Sequence, residues 1–547
     1  MLSHISLNFG SAGGSSPLQI EPGPMTIFVG PNNSGKSLIL REIYNFTQGQ
    51  AGAERKIIRS IRNKVLTRDI YRRLLLSLHV DDPTFSEKEV VNARFPNGLV
   101  TRIHLGTADQ MSRGEDSNAF TLLTRGLSIF MDGQARLTLS DAVVTSSEGG
   151  WHNSALGRLF HDKASRERLN QITQKALKLY FTIDPTELSL VRVKLSGRPP
   201  QTPDEDEWAL DERGKRFFRQ AEDIWNFSDG VKAFTGIMIG ILSAEYMTVL
   251  IDEPEAFLHP PLVRELASNL TEIAAQREAN IFAATHSPDF LMGCVQTNRR
   301  INIIRLTYTG GIGTATYLPA DEVQKMMRNP FLRSAGVLSS LFYEGAVVGE
   351  SDVDRAFYQE INQRNIEADD EGMRNVVFLN ANGKDSLRHV ISPLRRMGIP
   401  AAAIVDLDII EPGTFRLLLE AASVPKTLIE TWVILKDKIN GQFNRLGVKP
   451  KKAGLSALDE ANRVAAYSLI DSLVDYGIFV VPVGEVENWL PQLGLKGKAT
   501  YWLEQVFTTM GDDPSSPSYV RPADDDVWQF VRRIKGWVDD PERLGMP

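Results

Sequence analysis

Cysteine is almost absent from this chain. A single one, Cys294, stands among 547 residues. No disulfide framework and no thiolate zinc site can form within one chain, and a reducing, cytoplasmic setting is expected. An excess of positive charge is missing too. The formal net charge is -7, which excludes a protein that coats nucleic acid over its whole surface but leaves room for a local basic groove. The opening stretch, MLSHISLNFGSAGG, has no basic segment followed by an apolar core, so no signal peptide is expected. The most apolar stretch, Ala233 to Ile251, is about long enough to span a bilayer. It contains Glu245 and runs into Asp252-Glu253, so it reads as a buried helix and strand, and no membrane partner is expected.

What remains is the composition of an ordinary globular protein, 42% apolar and 24% charged. The chain is too long for one core and should divide into about two to four domains. Its clearest motif is Gly30-Pro-Asn32-Asn33-Ser34-Gly35-Lys36-Ser37, entered by the apolar run Met25–Val29 and followed by a helix-like segment, Leu38 to Phe46. This strand–loop–helix setting of G-x-x-x-x-G-K-[ST] is a P-loop. Gly30 and Gly35 let backbone N–H groups turn inward onto phosphate oxygens. Lys36 would reach the β- and γ-phosphates, Ser37 would ligate Mg²⁺, and the helix would present its positive end to the anion. ATP and Mg²⁺ are thus the expected ligands.

Further along, Arg55 to Arg73 carries eight cations and one acid, with Ile57, Ile58, Ile61, Val65 and Leu66 at helical spacing. It is expected as an amphipathic helix, either a solvated face or a surface for a nucleic-acid backbone. Val90 to Leu139 alternates, as in NGLVTRIHL and ARLTL, and suggests strands; Ser165 to Tyr180 reads as a helix. MTVLIDEPEAFLHP, Met247 to Pro260, is an apolar strand ending in two acids. Asp252 would hold Mg²⁺ through water and Glu253 would polarise the attacking water. NIFAATHSPD follows as another buried strand, and His286 could touch the γ-phosphate.

The order of P-loop, Ser228-Asp229-Gly230-Val231-Lys232, Asp-Glu-Pro strand and Thr-His strand resembles the ABC-type ATPases of the DNA-repair and chromosome-maintenance group. The resemblance implies that Ser228 and Gly230 cap the ATP of a second protomer, so that the heads form a homodimer or higher oligomer. It covers roughly residues 1 to 310. The stretch 150–222 is expected as a helical or dimerisation insertion.

After a helical hinge, Asn329 to Phe342, strand and helix alternation restarts. Strands are expected at Ala346–Val348, Val376–Leu379, Ala401–Val405 and Ile478–Val483, forming a small parallel α/β sheet, whose polar sites gather at strand carboxyl ends. Acids stand at three of them: Glu350 to Asp354, Asp406 with Asp408, and Glu485 with Glu487. Asp406 and Asp408 are two apart and share a face on an extended strand. A carboxylate-only set favours Mg²⁺ or Mn²⁺, and two such ions would drive in-line phosphodiester hydrolysis.

This pattern resembles a TOPRIM domain. The family's Glu falls on Glu350, its downstream Asp on Asp354 and its aromatic on Phe357, while Ser351 and Gly349 depart from the usual turn and Asp352 is a substitute ligand. The D-x-D maps onto Asp406 and Asp408, the third acid onto Glu485 or Glu487, and the family's lysine onto Lys496 or Lys498. An ABC ATPase joined to a TOPRIM domain resembles the overcoming-lysogenization-defect (OLD) nucleases. Their properties imply an α/β chain with an ATPase domain at 1–335, a TOPRIM domain at 340–510 and a helical tail at 511–547. They imply an ATP-regulated, metal-dependent DNA endonuclease of prokaryotic anti-phage defence, with Glu350 also as general base and with room for a defence-system partner protein. An ATP-dependent DNA clamp or scaffold with an inactive TOPRIM domain is the alternative; a topoisomerase or primase lacks its tyrosine domain and zinc ribbon here.

Overall fold

The computed structural model describes the whole chain except residues 13, 51–53, 80–88, 115–116, 145–153, 188, 203–204, 206–211, 278, 329–335 and 496. It divides into two compact units: Met1–Val29 with Asn33–Gln324, and Lys325–Pro547, with which Gly30–Asn32 is grouped.

The first unit opens with β1 (Leu2–Leu7), β2 (Gln19–Ile20) and β3 (Met25–Val29), the last buried along its length. The helix Lys36–Thr47 follows directly. Next come β4 (Ile58–Asn63), β5 (Val90–Arg94), β6 (Val100–His104), β7 (Ser128–Met131), β8 (Val143–Val144), β9 (Tyr180–Glu187), β10 (Leu190–Ser196) and β11 (Glu222–Asp223). The unit closes with β12 (Thr248–Asp252), β13 (Asn280–Ala284), β14 (Ile301–Thr309) and β15 (Ile312–Leu318). Its main sheet has six strands in the order β15-β14-β3-β13-β12-β7. All its pairs are parallel except β14 with β15. Strands covered on both faces must be apolar throughout, which is why MTIFV, TVLID and NIFAA read as unbroken runs.

Two local expectations fail. Arg55 to Arg73 is not one helix: β4 pairs antiparallel with β1, and a helix begins only at Arg68. The cause is the buried carboxylate of Glu42, which accepts the N–H groups of Lys56 at 2.7 Å and Ile58 at 2.8 Å and holds the entry to β4 extended. Ile58 and Ile61 then pack beside Ile5 and Leu7, while Arg59 and Arg62 stay in solvent. ARLTL is likewise no strand. Asp132 accepts the N–H groups of Gln134 and Ala135 and starts the short helix Ala135–Thr138. Of the expected hinge, residues 329–335 lie outside the described residues, and Val337–Phe342 is a 3-10 helix.

The second unit holds a four-stranded parallel sheet in the order β17-β16-β18-β19, from β16 (Gly345–Gly349), β17 (Val376–Asn380), β18 (Ala401–Val405) and β19 (Ile478–Val480). Between β18 and β19 lies a helical excursion that includes the helices Lys426–Leu446 and Glu460–Val474 and the single turn Pro450–Ala453. The tail helix Asp526–Asp539 buries Trp528, Val531 and Ile534 in one core with Phe357, Tyr358, Trp489 and Trp502. The buried Arg395 joins the segments of this unit by donating to the carbonyls of Ala401 and Gly545.

Candidate functional site

Backbone geometry comes first at the P-loop. Gly30 at φ 144° and Gly35 at φ 92° occupy conformations closed to most side chains, and Asn33 at φ 61° completes the curl. A Cβ on Gly35 would come within 2.5 Å of the Ile57 side chain. Lys36 is buried, with its ammonium 3.4 Å from the Ser34 hydroxyl. Burial lowers its pKa to about 8, against the opposing pull of Glu253, Asp252 and Glu255. Asn32 and Asn33 are exposed at the loop tip.

The strand ends supply the acids. Asp252 closes β12, and its Oδ1 accepts the Ser37 hydroxyl at 3.0 Å, so the two residues expected around Mg²⁺ already touch. Glu253 follows at φ 50°, with its N–H given to the Ala284 carbonyl at 2.8 Å. Burial and then the Lys36 charge push the His286 imidazole down to about 4, so it is neutral near pH 7. Two neighbours were not foreseen. Glu255 accepts the Thr285 hydroxyl at 2.8 Å and the His286 N–H at 2.6 Å; its signal was the third acid in DEPE. Arg136, 1% exposed, donates to the carbonyls of Asp252 at 2.5 Å and Glu253 at 2.6 Å. Ser228 stands just before the helix Asp229–Leu242, is exposed, and makes no side-chain capping bond to it. Gly230 is needed there because a Cβ would sit 2.6 Å from the Phe257 carbonyl oxygen.

In the second unit, the carboxyl ends of β16, β18 and β19 gather Glu350, Asp406, Asp408 and Glu485. The Asp406 N–H donates to Glu350 Oε1 at 3.0 Å, which puts the two strand ends on one side of the sheet. Burial and the nearby Asp406 carboxylate raise Glu350 to about 8, and burial raises Asp406 to about 7 against the pull of Lys451. Ser351 and Asp354 form a reciprocal cap on the helix Asp352–Asp369: Asp354 Oδ2 accepts the Ser351 N–H at 2.8 Å. Gly349 permits this, since a Cβ would lie 2.9 Å from that of Asp354. Asp352 points away and pairs with Arg355. Glu487 accepts the N–H of Ala499, whereas Glu485 is buried.

Cations meet these acids. Lys451 lies 2.5 Å from Asp406 and Lys384 lies 3.1 Å from Asp408, while Lys452 pairs with Glu485. None of the three was foreseen, and the only sequence signal was the KK doublet after Pro450. Lys498 adjoins Lys452, whose charge pulls its ammonium down. Lys496 lies outside the described residues.

Among the described residues, no group of three or more Asp, Glu, His or Cys side chains is drawn together tightly enough to hold an ion as it stands. The donor set nevertheless fits a hard divalent cation: it is all carboxylate, and Asp408 Oδ1 is buried with no hydrogen-bond partner. Among the described residues, no helix is long and apolar enough to cross a membrane.

Comparison with known proteins follows the same division. Residues 159–292 match the family described as AAA domain, putative AbiEii toxin, Type IV TA system. Residues 341–408 match the overcoming lysogenization defect protein-like TOPRIM domain. A curated OLD nuclease from Thermus scotoductus is 23% identical over 444 residues, spanning 72% of this chain and 79% of that protein. Among solved structures, an Smc head bound to the C-winged helix domain of ScpA aligns at 15% identity and TM-score 0.34, covering 59% of this chain and 99% of that one. The SMC head domain from Thermotoga maritima aligns at 13% identity and TM-score 0.30, covering 58% and 99%. Those scores are low, so the fold assignment rests on strand order and on the two family matches.

Proposed function

We propose, for a chain that joins an AAA-type ATPase domain to an OLD-like TOPRIM nuclease domain, that nucleotide at the first governs divalent-metal-dependent cleavage of DNA at the second. The observation that carries this reading is the hydrogen bond from the Asp406 N–H to Glu350, which brings acids from two parallel strand ends to one place.

In the first unit, Lys36 would balance the β- and γ-phosphates, Ser37 and Asp252 would share Mg²⁺, and Glu253 would orient the attacking water, with neutral His286 beside the γ-phosphate. Ser228 and Gly230 would close over nucleotide held by a second copy of the chain. In the second unit, Asp406, Asp408 and Glu485 are the ligands of choice, with Glu350 able to ligate or to take a proton from water. Bound Mg²⁺ or Mn²⁺ would supply Lewis-acid stabilisation of the pentacoordinate phosphate. Asp354 holds the Ser351 turn and so positions Glu350. Lys498, beside Lys452, would offer a cation to the substrate backbone. A role in anti-phage defence, with a partner protein, is part of this proposal and is supported by the similarity to an OLD nuclease.

The test is nicking of supercoiled plasmid by purified protein across Mg²⁺, Mn²⁺ and nucleotide. Asp406→Ala should lower nicking about a hundredfold or more while ATP binding stays within error. Undiminished cleavage by that variant would refute the assignment.

A further inference from the structure

The turn Pro450–Ala453 lies far along the chain from the acids it meets. Lys451 is 45 residues from Asp406, and Lys452 is 33 residues from Glu485. Neighbouring lysines thus engage acids at the ends of two different strands. Surface ion pairs form readily and are worth little, so what matters is how the turn is held.

It is fastened by backbone. Gly484, at φ +108°, lies so close that a Cβ would run into the Lys451 carbonyl oxygen. Gly454, at φ +64°, lies so close to Val483 that a Cβ would meet its carbonyl oxygen at 2.8 Å. The Leu455 N–H donates to the Pro482 carbonyl at 2.9 Å, and the Asn488 amide donates to the Lys451 carbonyl at 3.5 Å. The turn also lies against Leu407–Ile410, the segment that carries Asp408. Both strand ends bearing acids therefore hold the lysine turn.

The two sides of each pair are unequal. The Asp406 and Glu485 side chains are 10% and 6% exposed, against 36% and 48% for Lys451 and Lys452. The acids sit on fixed strand ends and need a counter-charge. The lysines are long and open to water, so they can leave with little cost. An ammonium and a divalent cation on the same carboxylate repel each other, so each weakens the hold of the other.

We propose that Lys451 and Lys452 are exchangeable counter-ions of the carboxylate site, neutralising Asp406 and Glu485 in the metal-free protein and, once displaced, turning to the phosphate backbone of the nucleic-acid substrate. This rests on the metal-site reading above. In it, the same two cations oppose metal binding and favour substrate binding, so their removal moves the two affinities in opposite directions.

The test uses the full-length protein without nucleotide and reads Mn²⁺ affinity by calorimetry, and plasmid KM in separate assays. K451M/K452M should bind Mn²⁺ about tenfold tighter, the equivalent of losing one competing charged hydrogen bond, while its plasmid KM rises. K451R/K452R should restore both toward wild type. The single variants K451M and K452M should each show part of the effect and serve if the double variant does not fold. K438M removes one exposed cation of the helix Lys426–Leu446 and controls for net charge in the single variants. Unchanged or weaker Mn²⁺ binding by the lysine variants, with binding lost in D406A, would overturn the counter-ion role alone. Unchanged Mn²⁺ binding by D406A would overturn the metal site itself and this proposal with it.

Discussion

At the scale of single residues, Arg136 is the most informative side chain in the ATPase unit. Its guanidinium spans the carbonyls of Asp252 and Glu253, the residues expected to hold Mg²⁺ and to polarise water. Glu253 has φ 50°, a left-handed conformation that costs a residue with a Cβ about 1 kcal/mol or more unless its surroundings hold it. A planar fork can hold two successive carbonyls where a point-charge ammonium cannot. Arg136→Met should therefore lower the ATPase kcat about tenfold or more with ATP affinity nearly unchanged, and Arg136→Lys should not restore it. An unaltered kcat in Arg136→Met, measured beside nucleotide binding, would show that the turn needs no clamp. The expectation of a strand in ARLTL could not have found this role. It depends on Asp132 starting a helical turn, and on a partner 116 residues away.

Elements were legible where burial is symmetric. The strands flanking the P-loop and those of the second unit are parallel and covered on both faces, so their apolar runs announced them, and the acids just beyond gave their carboxyl ends. Legibility failed where a side chain from elsewhere decides the backbone. Arg55 to Arg73 has helical spacing, but the Glu42 carboxylate captures its N–H groups and gives it to β1 as a strand partner. The turn Pro450–Ala453 was illegible for a related reason: close backbone approaches from a distant segment, at Gly484 and Val483, bring it to the acids. Gly484→Ala tests that element. A methyl there meets the Lys451 carbonyl, and the φ of +108° is itself unfavourable for alanine. The variant should unfold about 1–3 kcal/mol more easily and lose nicking while keeping ATPase activity. Wild-type nicking and an unchanged denaturation midpoint would mean that the turn is not anchored through this contact.

At the scale of the molecule, two chemistries share one chain, each at the carboxyl ends of parallel strands in its own sheet. In the first, a hydroxyl and a carboxylate, those of Ser37 and Asp252, are in contact. In the second, strand-end acids are held by lysines, and one buried carboxylate oxygen, on Asp408, has no hydrogen-bond partner. If nucleotide alters the affinity of the nuclease site for its ligands, linkage requires that those ligands alter nucleotide affinity by the same free energy. That coupling has meaning only if the second site takes up metal. The most direct measurement is anomalous scattering from crystals of the protein soaked in Mn²⁺. The account predicts a peak at about 2.1 Å from oxygens of Asp406, Asp408 and Glu350 or Glu485, with Lys451 turned away. Mn²⁺ bound only at Ser37 and Asp252, with Lys451 still on Asp406, would contradict it.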